Sequence, residues 1–436
     1  MGGPEDPLSA PTPPCVPAEG PFLRTGAGPL GKPTEPPSQV SQRSQSGHPD
    51  AEQPPQVCFL NPLAAAAGNA SPHAQRCAAL ASDAFDRLLA GHPQHRSGKS
   101  SLAAFILERE VLGAQQDGGE QYELVALGTG GTCYGGWLDF SGRRLHDTHA
   151  LVVARRALRR YLYKQLLLWC GRREAANREK CIFQPVGDGG RLEIKPRVFV
   201  HLYLSQAPAG AAEDFPIPFP GRKPSVGLCV HARGALSPVS GCPPGLLAAR
   251  VCCASGRDKL SLWGALGWQG ALLSHFLQPL HPASIVLADP GPDPQALSWV
   301  ITKQLPAPHA QRQAHFFLGP RIGPPGPPGR PPSLNWCSGD PAPELVDGTT
   351  GLAAVEAPAP EERVCASRLC KAAMLRCFRE VAREMNRDDL LELPTYHQAK
   401  AQAEPYQRAK ERVFSLLASQ GLGKWPRKQL ADIFTG

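Results

Sequence analysis

Residues 145–163 read LHDTHALVVARRALRRYLY, and the rest of the chain is organised around them. A polar turn, His146-Asp147-Thr148, runs directly into an apolar stripe of Leu151, Ala154, Leu158 and Leu162. Spacing by three and four lines one face of a helix, so the sequence predicts a helix over 149–169. Asp147 or Thr148 is placed to cap its first turn. His149 then stands at the helix N-terminus. Arg155 and Arg159 share one face, and Arg156 and Arg160 share the next.

Working outward, residues 102–108 and 122–127 read as strands, the second ending in the tight turn Gly128-Thr129-Gly130-Gly131-Thr132. Ahead of them, Ala81, Ala84, Phe85, Leu88 and Leu89 mark an amphipathic helix over 77–89. Gly98-Lys99-Ser100 has the end of a phosphate-binding loop, but Pro93 stands where that motif needs glycine. Beyond the central helix, RVFVHLYLS (197–205) and SIVLA (284–288) are β-branched and apolar enough for buried strands. Residues 207–258 read as loop-rich, and helices are expected over 263–276, 364–385 and 405–422, with Pro405 tolerated in a first turn. GPRIGPPGPPGRPPS (319–333) reads as an exposed Gly/Pro loop. Strands alternating with helices imply an α/β sandwich.

Composition sets the boundaries of that fold. Of 436 residues, 48 are Pro and 44 Gly, concentrated in a few stretches. Residues 1–70 carry few large apolar side chains and cannot offset the entropy of ordering, so a disordered tail is expected, with one folded domain over 71–436. The net charge of +8 is a mild basic excess that suits anionic partners. The 14 cysteines form no C-x-x-C pair. With no secretory leader and no apolar run of membrane-spanning length in view, reduced thiols and a nuclear or cytoplasmic setting, or both, are expected.

Several segments, in this order, resemble the deaminase domain of the adenosine deaminases acting on RNA. They are residues 145–163, HLYLSQAPAG (201–210), DKLSLWGALGWQGALLS (258–274), LNWCSGD (334–340), ASRLCK (366–371), TYHQAKAQAEPYQRAK (395–410) and GLGKW (421–425). Ordered co-occurrence is far more specific than any one of them. The chain is most similar to the germ-cell branch, the adenosine deaminase domain-containing proteins, in which the catalytic pattern is degraded. The resemblance implies a cytidine-deaminase-like α/β/α sandwich elaborated with C-terminal helices. It also implies a role in RNA processing, in male germ cells.

The resemblance implies a zinc site as well, and there the chain departs from the pattern. Zinc-dependent nucleobase deaminases use H-x-E: the His binds zinc, and the Glu moves protons between the metal-bound water and the base. Here the tripeptide is His149-Ala150-Leu151, and leucine carries no proton. The two thiolates of the pattern fall on Ala209, in Pro208-Ala209-Gly210, and on Gly256, two residues before Asp258-Lys259. Cys252 and Cys253 lie three or four residues further back, where a loop slip could bring one inward. Catalytic zinc needs three protein ligands and an open position. His149 alone reads as a hydrogen-bonded, non-metal histidine, so a chain without deaminase activity and without zinc is expected.

Members of the family bury an inositol hexakisphosphate. Carried over motif by motif, its pocket would draw on Arg155, Arg156, Lys259, Trp263, Gln269, Lys371, Tyr396, Lys400, Tyr406, Lys410, Trp425 and Lys428. His146, Leu262 and Ala271 depart from the family's Asn, Arg and Ser. Any one of these lysines reads equally as a surface cation; the set, drawn from segments far apart in the chain, does not. Each phosphate carries about −1.5 to −2 charges, so six carry about −9 to −12. Burying that many cations without a counter-ion would be prohibitive.

Family members carry double-stranded-RNA-binding domains, and none is found in residues 1–70, so weak RNA contact through the deaminase-like domain is expected. The Glu wedge of the family's editing loop falls on Gly234, which cannot fill the gap left by a flipped base. Arg222, Lys223 and Arg233 could touch phosphates or form a solvated basic loop. Three functions stay open on the sequence: an inactive RNA- or protein-binding domain, an active adenosine deaminase with an unusual ligand set, and a protein scaffold without RNA contact.

Overall fold

Apolar runs far apart in the sequence pair edge to edge, and helices cover both faces of the sheet they make. The structure is a computed structural model describing residues 70–111, 119–171, 179–187, 190–210, 227–288, 314–324, 332–354, 365–426 and 431–435. The helices are α1 (Pro72–Leu88), α2 (Ala150–Cys170), α3 (Pro244–Ala249), α4 (Gly256–Leu266), α5 (Gly270–Leu273), α6 (Lys371–Glu384), α7 (Asp388–Leu391), α8 (Tyr396–Ala401) and α9 (Glu404–Ser419). The strands are β1 (Leu102–Val111), β2 (Gly119–Thr129), β3 (Phe183–Pro185), β4 (Leu192–Ile194), β5 (Val198–Leu204), β6 (Cys229–Ala232), β7 (Ala235–Pro238), β8 (Cys253–Ala254), β9 (Ser284–Leu287), β10 (His315–Leu318), β11 (Ser333–Cys337), β12 (Glu344–Asp347) and β13 (Leu352–Ala353).

Eight strands form the main sheet in the order β10-β9-β5-β1-β2-β11-β12-β13. β10, β9 and β5 run parallel, and the remaining pairs are antiparallel. Because side chains alternate along a strand, each strand feeds two cores. Ala103, Phe105 and Leu107 of β1 join Leu202 and Leu204 of β5 in the core that α2 covers, with α4 and α6 adding Trp263 and Phe378. Leu102, Ala104 and Ile106 join Tyr203 and Val286 in a second core beneath Ala74, Cys77, Ala81 and Phe85 of α1. This is the α/β fold with helices on both faces that the alternation predicted.

The central helix lies close on the sheet because of one glycine. A Cβ on Gly128 would stand 2.4 Å from the backbone nitrogen of Ala154, an approach that a side chain forbids. The start of α2 differs from expectation. His149 occupies the N-cap position in extended conformation and gives no side-chain cap. Neither Asp147 nor Thr148 caps the helix. The Asp147 carboxylate accepts from the His149 amide at 3.0 Å, and the Thr148 hydroxyl donates to the Thr132 carbonyl at 2.9 Å. Tertiary partners take both groups that could have served the helix.

Other boundaries shift for physical reasons. The helix expected over 263–276 is two, α4 and α5, broken where Gly267 turns to φ +88°. The stretch 207–258 is more regular than expected: β6, β7 and β8 form a three-stranded sheet beside α3, while 211–226 lie outside the described residues. The helix expected from 364 begins at Lys371, where the Cys370 thiol accepts from the Ala373 amide. The Gly/Pro loop ends earlier than expected, since Ser333 is a buried residue of β11; its 325–331 and the tail's 1–69 lie outside the described residues. Among the described residues no helix is long and apolar enough to cross a membrane.

Candidate functional site

At the mouth of α2, Asp147 is the hub of a polar cluster. Its Oδ1 takes His149 Nδ1 at 2.8 Å, and its Oδ2 takes the Lys259 ammonium, which also donates to the Ala254 carbonyl at 2.6 Å. Burial opposes the charge on Asp147, but Lys259 and then His149 overcome it and hold the carboxyl well below its usual range. Cys133, bridged to Asp147 across the entry loop, sets its sulfur 3.5 Å from His149 Nδ1. A hydrogen bond with Cys253, then burial, pushes the Cys133 thiol well up. Cys133, Asp147 and Cys253 present ligand atoms within 4.8 Å of one another. His231, delivered by β6, lays its ring 4.4 Å from that of His149. Burial, then His149, lowers the His231 imidazole to about 4, so it is neutral at neutral pH.

The fold brings Ala209 and Gly256, onto which the resemblance puts the two thiolates, side by side. The Arg257 amide donates to the Ala209 carbonyl at 3.0 Å, and a Cβ on Gly256 would stand 3.1 Å from the Ala209 nitrogen. Neither residue has a donor atom in its side chain. Leu151 is 6% exposed and joins the apolar core. The places onto which the resemblance puts the two zinc thiolates and the proton shuttle hold a methyl, a hydrogen and an isobutyl group, none of which can ligate zinc or carry a proton. The neighbouring Cys133–Asp147–Cys253 group has the donors to hold a metal ion, though Asp147 is already engaged by Lys259 and His149.

One turn further along α2, cations converge. The Arg155 guanidinium lies 4.2 Å over the Trp263 ring, and both Arg155 and Arg159 flank Gly270. Burial, then Arg159, lowers Arg155 to about 9, still cationic at neutral pH. Arg156 donates to the Leu369 carbonyl at 2.7 Å, next to Lys371 at the start of α6. Burial alone would raise the Tyr396 phenol, yet Arg159, Lys400, Lys371 and Arg156 together pull it below its usual value. Tyr406 feels Arg155, Arg159 and Lys400, but burial prevails and raises it. Against these cations the described residues set the Asp432 carboxylate, which Lys400 and His397 share. The Nε atoms of Arg155 and Arg159 are buried without a hydrogen-bond partner. Orphaned guanidinium donors in a cluster of positive charge suit a buried anion.

The other residues carried over by motif make these contacts. Lys259 turns to Asp147, at the mouth of α2. Gln269 accepts from the Leu280 amide at 2.9 Å and donates to Ser274 at 3.0 Å, bracing α5. Trp425 stacks on Phe414 at 5.5 Å, and Lys410 lies 5.3 Å over that same Phe414 ring. Lys428 lies outside the described residues. At the far end of the β6–β7 hairpin, Arg233 and Gly234 form the exposed turn, with φ +52° and +82°. Nothing stands within 4 Å of a Cβ built on Gly234, so that place has room for a wedge but no side chain. Arg222 and Lys223 lie outside the described residues.

The adenosine-deaminase (editase) domain family model matches residues 126–429. The chain belongs to that family. It is 29% identical over 368 residues to the double-stranded RNA-specific adenosine deaminase of Mus musculus, covering 76% of this chain and 30% of the relative. It is 29% identical over 342 residues to the double-stranded RNA-specific editase B2 of Rattus norvegicus, covering 71% and 44%. With the double-stranded RNA-specific editase Adar of Drosophila melanogaster the figures are 27% over 388 residues, 82% and 54%. The chain therefore spans about a third to a half of the length of these relatives.

Within this editase domain the sequence reading passed over Cys133, His231, Arg159 as a cluster member, and Asp432. Arg159 had a signal, since it shares a helix face with Arg155. Cys133 and Cys253 lie 120 residues apart in an irregular loop and a two-residue strand, and no local pattern joins them.

Proposed function

We propose that this editase domain is catalytically silent and serves RNA processing by binding RNA, protein partners or both. Leu151 carries the reading. Deamination of adenosine needs a group that takes a proton from the attacking water and returns it to the leaving nitrogen. At that place stands a side chain with no ionisable atom, buried in the apolar core. Ala209 and Gly256 remove the nucleophile's support as well. Loss of acid/base help alone costs about 10²–10⁴ in rate, and loss of metal-activated water removes the nucleophile itself.

On this reading the cation cluster holds inositol hexakisphosphate as a folding cofactor, and the two orphaned arginine nitrogens support it. The partner class follows from the relatives' names, which specify double-stranded RNA. Resemblance to the germ-cell branch suggests male germ cells as the setting, in the nucleus, the cytoplasm or both. The test is an inosine assay on duplex RNA with added zinc, run beside filter binding at low and physiological salt. No inosine, with weak binding that falls steeply with salt, is the expected result. Inosine would refute the silent reading, and no RNA binding at low salt would leave a protein scaffold.

A second reading rests on Cys133, Asp147 and Cys253. A zinc ion held there would make an atypical site in an active deaminase. Metal analysis of Cys133→Ser/Cys253→Ser beside the unaltered chain, with the inosine assay, separates the two readings.

A further inference from the structure

We infer that His73, Glu108 and His201 form a binding site for a divalent transition-metal ion, zinc being the best match, under α1 on the face of the sheet away from α2. The three residues come from α1, β1 and β5, and their ligand atoms lie within 4.8 Å of one another. The sheet register makes the site. Glu108 pairs with Tyr122 of β2, while His201 pairs with Ile106 of β1 and with Ser284 of β9, so these side chains share one face. α1 lays His73 across them, its ring 4.5 Å from that of His201.

The contacts match the spacing between ligands of one metal ion. Glu108 Oε2 lies 3.1 Å from His201 Nε2, yet that nitrogen has no partner in hydrogen-bond geometry. Two ligands on one tetrahedral zinc, at about 2.0–2.1 Å from the metal, stand about 3.3 Å apart without bonding to each other. Drawing the widest pair inward would take at most about 1.5 Å, from the 4.8 Å limit.

The Ser284 hydroxyl touches both rings, His73 Nε2 at 2.8 Å and His201 Nδ1 at 2.8 Å. A hydroxyl has one proton to give. When the Ser284 oxygen instead accepts from both His73 Nε2–H and His201 Nδ1–H, the His73 Nδ1 and His201 Nε2 lone pairs are left for a metal, and the second faces a carboxylate oxygen. Two acceptors at that distance need a cation between them. Two imidazoles and a carboxylate are a zinc-type donor set, and Ser284 is the outer partner that orients a ligating ring.

The test uses the full chain without an affinity tag, stripped by chelator and titrated with cobalt(II). One equivalent should bind, with the intense visible bands of a four-coordinate ion. Glu108→Gln and His73→Asn should each weaken binding at least about tenfold, and Cys133→Ser/Cys253→Ser should leave it unchanged. Zinc should raise the melting midpoint of the stripped chain but not that of Glu108→Gln, a comparison that stands even if a histidine variant folds poorly. No binding to the stripped chain overturns the inference. So does binding that survives both Glu108→Gln and His73→Asn, or binding that Cys133→Ser/Cys253→Ser abolishes.

Discussion

Replacing Leu151 by Glu puts back the residue type that a deaminase uses to move protons, and it should leave the chain inactive and less stable. Leu151 is 6% exposed, so its side chain contributes about 1.5–3 kcal/mol by burial. A carboxylate there gains about 0.3–1 kcal/mol from the N-terminus of α2. That gain is too small against the several kcal/mol that an unpaired buried charge costs. The net loss is on the order of 3–5 kcal/mol, which for a domain of this size lowers the melting midpoint by roughly 4–7 °C. No activity returns in exchange. The factor of about 10²–10⁴ from acid/base help multiplies the reactivity of a nucleophile, and without metal-activated water there is little to multiply. The variant Leu151→Glu/Ala209→Cys/Gly256→Cys supplies the thiolates as well. A Cβ at 256 meets Pro208 Cβ at 3.0 Å and the Ala209 nitrogen at 3.1 Å, so the loop must give by a few tenths of an ångström. Digestion of treated duplex RNA and chromatography of the nucleosides measures inosine. Zinc-dependent inosine from the triple variant alone is the expected result. Inosine from Leu151→Glu alone would show that another set of side chains holds the metal, and the reasoning from Ala209 and Gly256 would fail.

Lys400→Glu sets a carboxylate beside Asp432 within the cation cluster and should leave little soluble protein, while phosphorus analysis of the unaltered soluble chain should find a bound inositol phosphate. Soluble Lys400→Glu with a normal melting curve would contradict the cluster's role. Gly128→Ala drives a methyl to 2.4 Å from the Ala154 nitrogen and should cost at least about 1–3 kcal/mol in a urea melt. Asp340 is buried among Lys164 at 2.6 Å, Arg160 at 3.1 Å and Arg368 at 3.3 Å, and although burial opposes its charge, Lys164 and then Arg368 hold its carboxyl below the usual 3.8. A depressed carboxyl stabilises the fold above its unfolded value of about 3.9 and loses that contribution as pH falls through the folded value. The urea midpoint should therefore drop below about pH 4, and less steeply in Asp340→Asn; equal slopes would refute the assignment.

The elements read best from sequence are those whose burial follows a local period. β1, β5 and β9 carry continuous apolar or β-branched runs, and α2 carries a stripe of period 3.6, so their types follow from spacing alone. The break at Gly267 was not legible, because α5 is held by Gln269 reaching the Leu280 amide, a contact eleven residues away. The cap of α2 failed for the same reason, since Asp147 is drawn to Lys259 across 112 residues. The family's pattern pointed to the stretch around His149, but the hub formed by Asp147, Cys133 and His231 exists only once the β2–α2 connection folds back on itself and meets β6. His73, Glu108 and His201 look in sequence like a first-turn helix residue and two ordinary strand residues, and only the sheet register puts them together.

The two halves of the site differ in how they depend on the fold. At the catalytic place a small or apolar residue relieves a burden, because a buried Glu and two buried thiolates need a metal to compensate them. Leu151, Ala209 and Gly256 leave no such charge behind, so the shell closes over them without a partner. The cation cluster works the other way. Arg155, Arg156 and Arg159 lie on the inner side of α2, the helix that covers the main core, and α4, α6 and α8 bring Trp263, Lys371 and Lys400 against them. Removing one guanidinium there leaves the rest still charged and a hole beside Trp263. Loss of a proton from any of them is no remedy, since arginine stays cationic even at the lowered value of Arg155. The cluster is thus coupled to the packing of four helices, whereas the catalytic set is coupled only to a metal. A chain can lose the second and remain folded, and on the proposed reading that is the state of this one.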